Sequence, residues 1–293
     1  MGKKINLVGK FSNSWGCERL IQKGFEQLDY KVNPIEISQI SPSLFEQDCL
    51  TIVLQGYGLT KFQINQGKIL TRAPWVLWHA EVLSSDWPSS DPVVQFKAEQ
   101  LKQNISAFDA VGHNCYTALN TVRKLGGKKV FHALNNGVDP DIHKSLNIPK
   151  LYDLGFYGHP SSRRESIIRQ IESNGFNVMW VLPQPLTFGI GLIKFINQCY
   201  VILNIHYSET KNLECRLYES LGCGVPVISE CVSMPDVLPH GITYLDNISE
   251  LTQEIISQSK LTNSEFIQSW MYSNVTYKLR CIEFLSGLNG VLG

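Results

Sequence analysis

The 293-residue sequence predicts an α/β protein of two domains, each built on a parallel sheet. Two observations lead to this prediction. Short apolar runs alternate with amphipathic stretches along the chain, and strands that alternate with helices form parallel sheets covered on both faces. A turn-rich run at residues 135–141 interrupts this alternation once, after which it restarts. Because a single core rarely grows beyond about 250–300 residues, two domains are the natural expectation.

The first half supplies the N-terminal domain, which we place at residues 1–147. Its strands are predicted from apolar runs and its helices from the longer amphipathic stretches between them. The predicted strands are 5–9, 30–37, 50–55, 75–79, 110–112 and 130–134. The predicted helices are 17–28, 92–104 and 116–125.

The second half repeats the pattern in a C-terminal domain, residues 148–264, followed by a helical tail, residues 265–293. The predicted strands are 154–157, 178–182, 201–205, 225–229 and 242–245. The predicted helices are 162–173, a short helix that ends at Gly222, 248–257 and an amphipathic tail at 265–288.

Composition excludes several classes of partner. The formal net charge is zero, so no basic surface field favours nucleic acid or an anionic membrane surface. No apolar stretch reaches the 18 residues of a spanning helix, and the N-terminus is typical of a first strand rather than a signal peptide. The eight scattered cysteines are most simply reduced thiols, which predicts a cytoplasmic protein.

The most informative segment is residues 212–230. Its leucines recur every four residues, which predicts one apolar helix face: Leu213, Leu217 and Leu221. Arg216 and Glu219 are three residues apart and share another face. Gly222 ends the helix before an apolar strand. A carboxylate and a guanidinium at the edge of a parallel sheet suit a ribose diol and a phosphate, and an ordinary surface ion pair fits the spacing equally well.

This segment resembles the donor-site helix of GT-B glycosyltransferases, in particular the group-1 and CgeB-like sets. There a run Arg-x-x-Glu-(Ala/Ser)-Leu-(Ala/Gly)-x-Gly-x-Pro-Val-(Ile/Val)-Ser carries a glutamate that binds the nucleotide ribose, which is Glu219 here. The resemblance implies two Rossmann-like domains facing each other across a cleft, with a C-terminal helix crossing back. Many retaining members carry a second glutamate eight residues earlier, where this chain has Lys211, so a retaining mechanism is not implied.

Two further loops are candidates for the donor diphosphate. The loop after the strand at 154–157 carries Gly158, Arg163 and Arg164 before a predicted helix start, whose free N–H groups favour an anion. It resembles the diphosphate loop of CgeB-like proteins, although a capped helix with solvated arginines also accounts for it. The second candidate is the predicted start of the donor-like helix. Its residues are His206, Lys211, Asn212 and Leu213.

The N-terminal half is expected to serve the acceptor. The loop after its first strand is neither Gly-x-Gly-x-x-Gly nor a Walker loop, and in GT-B proteins the equivalent loop lies in the cleft. Its candidate residues are Lys10, Ser12, Ser14 and Trp15. At another predicted strand end, His79 or Glu81 is the candidate general base if the reaction inverts configuration. A structural role fits each of these two residues equally well.

The resulting functional hypothesis is metal-independent sugar transfer from a nucleotide-sugar donor to a carbohydrate or other hydroxyl acceptor, with no cofactor. Helix N-termini would stabilise the leaving nucleoside diphosphate. Two alternatives remain. One is a GT-B epimerase, and the other is a catalytically inert module that binds a sugar nucleotide, as Lys211 in place of the glutamate suggests. The donor sugar, nucleotide base, acceptor, stereochemistry and oligomeric state stay open.

Overall fold

The computed structural model describes residues 3–12, 16–56, 58–80, 83, 92–182, 189–207, 213–232 and 241–293. The chain forms two compact units. The first comprises Met1–Asn135 with Tyr277–Gly293, and the second comprises Asn136–Thr276. Each described unit contains one parallel sheet with its helices, and the predicted α/β fold class is confirmed. No helix in the described part of the chain is long and apolar enough to cross a membrane.

The first unit is built on a six-stranded parallel sheet. Its strands are β1 (Lys4–Gly9), β2 (Lys31–Glu36), β3 (Leu50–Leu54), β4 (Trp75–His79), β5 (Ala110–His113) and β6 (Val130–His132). Its helices are α1 (Cys17–Glu26), α2 (Lys61–Thr71), α3 (Pro92–Lys102), α4 (Leu119–Lys124) and α10 (Tyr277–Leu292). The strand order is β2-β1-β3-β4-β5-β6. All residues of β4 and β5 are buried, as expected for central strands covered on both faces.

The last helix, α10, completes the first unit, in agreement with the predicted return of the C-terminus. It packs against α1, β5 and β6. Gly24 of α1 permits a close approach, because a Cβ there would lie 2.8 Å from the carbonyl oxygen of Tyr277. The rings of Phe284 and Trp78 stack with their centroids 4.2 Å apart. Aromatic packing of this kind fixes the helix on the sheet.

The second unit is built on a five-stranded parallel sheet. Its strands are β7 (Tyr152–Tyr157), β8 (Val178–Val181), β9 (Cys199–Asn204), β10 (Val227–Glu230) and β11 (Ile242–Leu245). Its helices are α5 (Ser162–Ser173), α6 (Ile190–Gln198), α7 (Cys215–Gly222), α8 (Gln253–Lys260) and α9 (Ser264–Asn274). The strand order is β11-β10-β9-β7-β8.

The structure differs from the sequence prediction at several elements. Helices α2 and α6 were not predicted. The tail, predicted as one helix at 265–288, is two helices, of which α9 lies in the second unit and α10 in the first. The break follows α9, where the N–H of Val138 donates to the carbonyl of Val275 at 3.0 Å and Val138 pairs with Thr276. This pairing places residues from about 136 in the second unit, whereas the sequence suggested a boundary near 147.

Candidate functional site

A polar cluster lies at the carboxyl edge of the second sheet, where open α/β sheets bind ligands. It is built from the ends of β7, β9 and β10 and from the first turns of α5 and α7. Its charged and polar members are Tyr157, Arg163, Arg164, His206, Glu214, Arg216, Glu219 and Glu230. The structure therefore brings together most of the predicted donor residues and adds two carboxylates that the sequence prediction did not assign.

Glu214 is the centre of this cluster. Its carboxylate accepts hydrogen bonds from Arg216 Nη1 at 3.0 Å, from Arg164 Nη2 at 3.4 Å and from His206 Nδ1 at 3.3 Å. Burial alone would raise the pKa of Glu214, but the Arg216 charge, the His206 hydrogen bond and the Arg164 charge outweigh it and lower that pKa to about 2. Glu214 is therefore ionised at neutral pH, and it ties α7 to α5 and to the segment after β9.

Arg216 is 4% exposed and is hydrogen-bonded within the protein. Its Nε donates to the carbonyl of Tyr157 at 2.8 Å, and its Nη1 donates to Asn204 Oδ1 at 2.6 Å and to Glu214. Burial works against its charge, but the Glu214 carboxylate outweighs burial, so the pKa of Arg216 is raised. The sequence prediction assigned Arg216 to a diphosphate, whereas in this structure it holds α7 against the ends of β7 and β9.

Arg164 is also 4% exposed and internally bonded. It donates through Nε to the carbonyl of Ile205 at 3.0 Å and through Nη1 to the carbonyl of His159 at 2.9 Å. Burial lowers its pKa to about 10. Gly158 leaves room for both guanidiniums, because a Cβ at this position would lie 3.0 Å from Arg164 Nη1 and 2.9 Å from Arg216 Nη2. The close approach of two guanidiniums explains the glycine that the sequence singled out.

Arg163 faces a different carboxylate, Glu230, at the end of β10. Its two terminal nitrogens bind the two oxygens of Glu230, and its Nη1 also donates to the carbonyl of His206 at 3.1 Å. The backbone N–H of His206 donates to Glu230 Oε2 at 2.7 Å. Such bidentate pairs fix orientation well. A glutamate at the end of an otherwise apolar strand was the signal in the sequence that would have pointed to Glu230.

Glu219, the predicted ribose ligand, lies one turn further along α7 and is partly buried. Its Oε2 accepts a hydrogen bond from the Tyr157 hydroxyl at 2.7 Å. Burial raises the pKa of Glu219, although the Tyr157 hydrogen bond and the Arg216 charge work in the opposite direction. Burial also raises the pKa of Tyr157, so its hydroxyl is a hydrogen-bond donor at neutral pH.

The start of α5 is capped, as both accounts of this loop allow, but Arg164 is buried rather than solvated. Ser161 Oγ accepts a hydrogen bond from the N–H of Arg164 at 3.2 Å. The start of α7 differs from the prediction, because the helix begins at Cys215 and Leu213 lies before it. Lys211 and Asn212 lie outside the described residues. His206 is 2% exposed, and its Nε2 has no hydrogen-bond partner among the described residues.

The first unit contains a cavity of about 430 Å³ at the carboxyl ends of β1 and β2. It is lined by Phe11, Ser12, Arg19, Pro34, Glu36, Ser38 and Gln39. Of the predicted acceptor residues, Ser12 therefore lines this cavity, and Lys10 is exposed at the end of β1. Ser14, Trp15 and Glu81 lie outside the described residues.

His79, a candidate base, is completely buried beside His113 at the ends of β4 and β5. His113 Nδ1 lies 3.1 Å from the carbonyl oxygen of His79, and this oxygen can only accept, so His113 Nδ1 carries the proton. His79 Nδ1, 3.3 Å from the same atom, is then an acceptor. Burial lowers the pKa of His113 to about 4, so this histidine is neutral at pH 7. In neutral His79, the nitrogen that could take up a proton therefore faces His113.

Comparison with known sequences gives relatives that match over a limited stretch, and no family model matches the chain. An uncharacterized protein of Acanthamoeba polyphaga mimivirus is 35% identical over 130 residues, covering 40% of this chain and 14% of the relative. Another from the same virus is 31% identical over 132 residues, covering 37% of this chain and 41% of the relative. The matches thus span less than half of these relatives.

Comparison with solved structures decides the fold. The DNA-modifying enzyme β-glucosyltransferase, studied with and without uridine diphosphoglucose, matches 96% of this chain and 94% of its own with a TM-score of 0.50 and 11% identity. S. aureus TarM, in complex with fondaparinux, α-GlcNAc-glycerol and UDP, matches 83% of this chain and 55% of its own with a TM-score of 0.50 and 8% identity. The fold is GT-B. The predicted GT-B fold is thereby confirmed, and the polar cluster lies in the C-terminal GT-B unit.

Proposed function

We propose that this GT-B protein is a glycosyltransferase that moves a sugar from a nucleotide-sugar donor to an acceptor hydroxyl. The observation that carries the proposal is the Glu219 carboxylate at the carboxyl edge of the second sheet, one oxygen of which is held by Tyr157. The GT-B neighbours TarM and β-glucosyltransferase were studied with UDP and with uridine diphosphoglucose. We extend a donor of that kind, a uridine diphosphate sugar, to this chain as part of the proposal.

In this proposal the donor lies along the carboxyl edge of the second sheet. Glu219 accepts a hydrogen bond from the ribose. The first turn of α5, Gly158 and the partly exposed Arg163 meet the diphosphate, since helix starts attract anions. Lys211, Asn212 and Leu213 supply further contacts before α7, and His206 contacts phosphate or sugar. Arg164 and Arg216 support the site through Glu214, because each is bonded to this carboxylate and to backbone carbonyls within the protein.

The helix starts and the arginine stabilise the charge that develops on the leaving nucleoside diphosphate, and the transfer we propose is metal-independent. The first unit would bind the acceptor through Lys10, Ser12, Ser14 and Trp15. The general base would be Glu81 or His79. His79 fits this role less well, because the lone pair of its Nδ1 faces His113.

The test is the substitution Glu219→Ala. Turnover of a UDP-sugar panel and binding of UDP by calorimetry are measured beside Glu254→Ala, which removes an exposed carboxylate on α8 that accepts a hydrogen bond from Gln258. We expect Glu219→Ala to abolish turnover and to weaken UDP binding at least about tenfold, as for the loss of a hydrogen bond to a charged group. Circular dichroism checks that both variants fold. Unchanged UDP binding in Glu219→Ala would remove the donor-site assignment.

A second candidate function is a catalytically inert module that binds a sugar nucleotide. It is favoured by Lys211, which stands where many retaining members carry a glutamate. Binding and turnover separate the two candidates. If UDP binds, binding depends on Glu219 and no sugar is transferred or hydrolysed across a broad acceptor panel, the inert module is the better description.

A further inference from the structure

We propose that Tyr157 is a positioning residue for Glu219: its hydroxyl donates a hydrogen bond to Oε2 of the carboxylate, and Oε1 stays open to accept a hydrogen bond from one ribose hydroxyl. This inference rests on the proposed function. Tyr157 lies outside the motif at residues 216–229, and its hydrogen bond leaves one oxygen of the carboxylate for the ribose.

The geometry shows that α7 holds Tyr157 at two atoms. Glu219 accepts from the Tyr157 hydroxyl at 2.7 Å, and Arg216, three residues earlier on the same helix face, donates through Nε to the Tyr157 carbonyl at 2.8 Å. The tyrosine is 8% exposed, and its ring lies edge-on to Phe195 with centroids 6.4 Å apart. The backbone carbonyl and the hydroxyl of Tyr157 are therefore both held by α7, which fixes where the hydroxyl lies.

The two oxygens of Glu219 consequently differ. Oε2 accepts the short hydrogen bond from a phenol that is protonated at neutral pH. Oε1 has no hydrogen-bond partner among the described residues. It is not fully buried either, so a ligand can reach it from outside. A carboxylate with one oxygen bonded and one open can accept from an incoming hydroxyl without first losing an internal bond. Tyr157 thus fixes the direction in which that hydroxyl must lie.

The charges around Glu219 give a readout that packing alone would not produce. The groups that face it are Tyr157 from β7, Arg216 on α7 and the thiols of Cys215 and Cys223. Burial raises the pKa of Glu219, and the Tyr157 hydrogen bond opposes this rise. Removing the hydroxyl therefore raises this pKa further. Since a neutral carboxyl group is a weaker hydrogen-bond acceptor than a carboxylate, nucleotide binding should be lost at a higher pH in the variant as pH falls.

The experiment measures the Kd of UDP, 2′-deoxy-UDP and 3′-deoxy-UDP by calorimetry between pH 5 and 8. It compares the unmodified protein with Tyr157→Phe, and the matched control is Tyr272→Phe, which removes a hydroxyl that donates to the carbonyl of His143 at 2.7 Å in the same unit. We expect the unmodified protein to discriminate about tenfold against one of the two deoxy analogues. Tyr157→Phe should bind UDP about fivefold or more weakly, discriminate less and lose binding at higher pH, whereas Tyr272→Phe should match the unmodified protein.

A double-mutant cycle separates positioning from a general structural effect. If Tyr157 acts through the carboxylate, Tyr157→Phe should change UDP affinity little in a Glu219→Gln background. Full additivity of the two losses would overturn the inference, as would a Tyr157→Phe protein with unchanged affinity and pH profile. In both cases the donor-site proposal stands as long as Glu219→Ala still loses UDP. If Glu219→Ala binds UDP normally, the donor-site proposal itself fails.

Discussion

The substitution Glu214→Gln tests whether one buried carboxylate holds the polar cluster of the second unit together. Gln has the same size as Glu and keeps one acceptor oxygen, but it removes the charge that Arg216, Arg164 and His206 face. Breaking a buried ion pair by removing one partner is strongly destabilising, because the remaining charge stays buried without compensation. Arg164 and Arg216 are each 4% exposed, so their guanidinium groups cannot become solvated without local rearrangement.

The magnitude follows from the lowered pKa of Glu214. A fall from 4.5 to about 2 corresponds to about 3 kcal/mol of preferential stabilisation of the ionised carboxylate, at about 1.36 kcal/mol per pKa unit. Its side chain is 23% exposed, so solvent screening removes little of this. Because the unfolded chain has the higher pKa, the stabilisation is complete above about pH 4.5 and is lost as pH falls towards 2. Glu214→Gln should remove about 3 kcal/mol at neutral pH and flatten this acid loss.

The assay is urea denaturation at pH 7, 4 and 3, followed by circular dichroism and by the fluorescence of the tryptophans. The matched control is Glu99→Gln, whose carboxylate lies 3.9 Å from Lys102 with both side chains more than half exposed, so its loss should cost under about 0.5 kcal/mol. A Glu214→Gln protein as stable as Glu99→Gln at pH 7 would refute this account of the cluster.

Two further stability predictions follow from buried groups. His113→Asn keeps a donor for the His79 carbonyl and removes an imidazole whose pKa in the folded protein is about 4. Between about pH 6.5 and pH 4 this imidazole binds a proton in the unfolded chain but not in the folded one, so the folded protein loses stability as pH falls through this range. That loss should be smaller in the variant, by up to about 3 kcal/mol. Urea denaturation at pH 7, 5.5 and 4.5 measures this, and equal pH slopes would contradict it. Gly158→Ala places a methyl group 2.9 and 3.0 Å from two guanidinium nitrogens at a φ of +157°, so it should cost about 1–3 kcal/mol. Thermal denaturation beside Gly290→Ala, where a Cβ meets nothing within 4 Å, measures that cost.

The sequence predicted the strands well because buried strands of parallel sheets are continuous apolar runs that local reading detects. The predicted bounds 75–79, 162–173 and 242–245 agree with β4, α5 and β11. Helix α2 was missed although its capping box, in which Thr60 and Gln63 bond each other reciprocally, is a signal in the sequence. The break after α9 carries no glycine or proline that would mark it in the sequence. It depends on pairing with Val138, more than 130 residues earlier, which local patterns do not show.

For the candidate site, the sequence predicted which loops and helices lie together but not the hydrogen bonds between their side chains. The prediction that Arg216 and Glu219 share a helix face is consistent with their common contact to Tyr157. The prediction that the arginines face a ligand did not account for Glu214, which has the wrong spacing for the motif. Its contact with Arg164 joins positions 50 residues apart, and no local pattern encodes such a contact. Tyr157 reads from the sequence as the last residue of a buried strand, so only the structure reveals its hydroxyl contact.

The return of α10 to the first unit has a consequence for biosynthesis. The segment Tyr277–Gly293 is made after the second unit, yet Phe284 within it covers Trp78, which is made more than 200 residues earlier. Until the ribosome releases this segment, the first unit has an uncovered aromatic surface, whereas the second unit, Asn136–Thr276, is a continuous stretch of chain. The second unit can therefore mature first, and a nascent chain stalled before residue 277 should recruit chaperones through the surface that α10 later occupies.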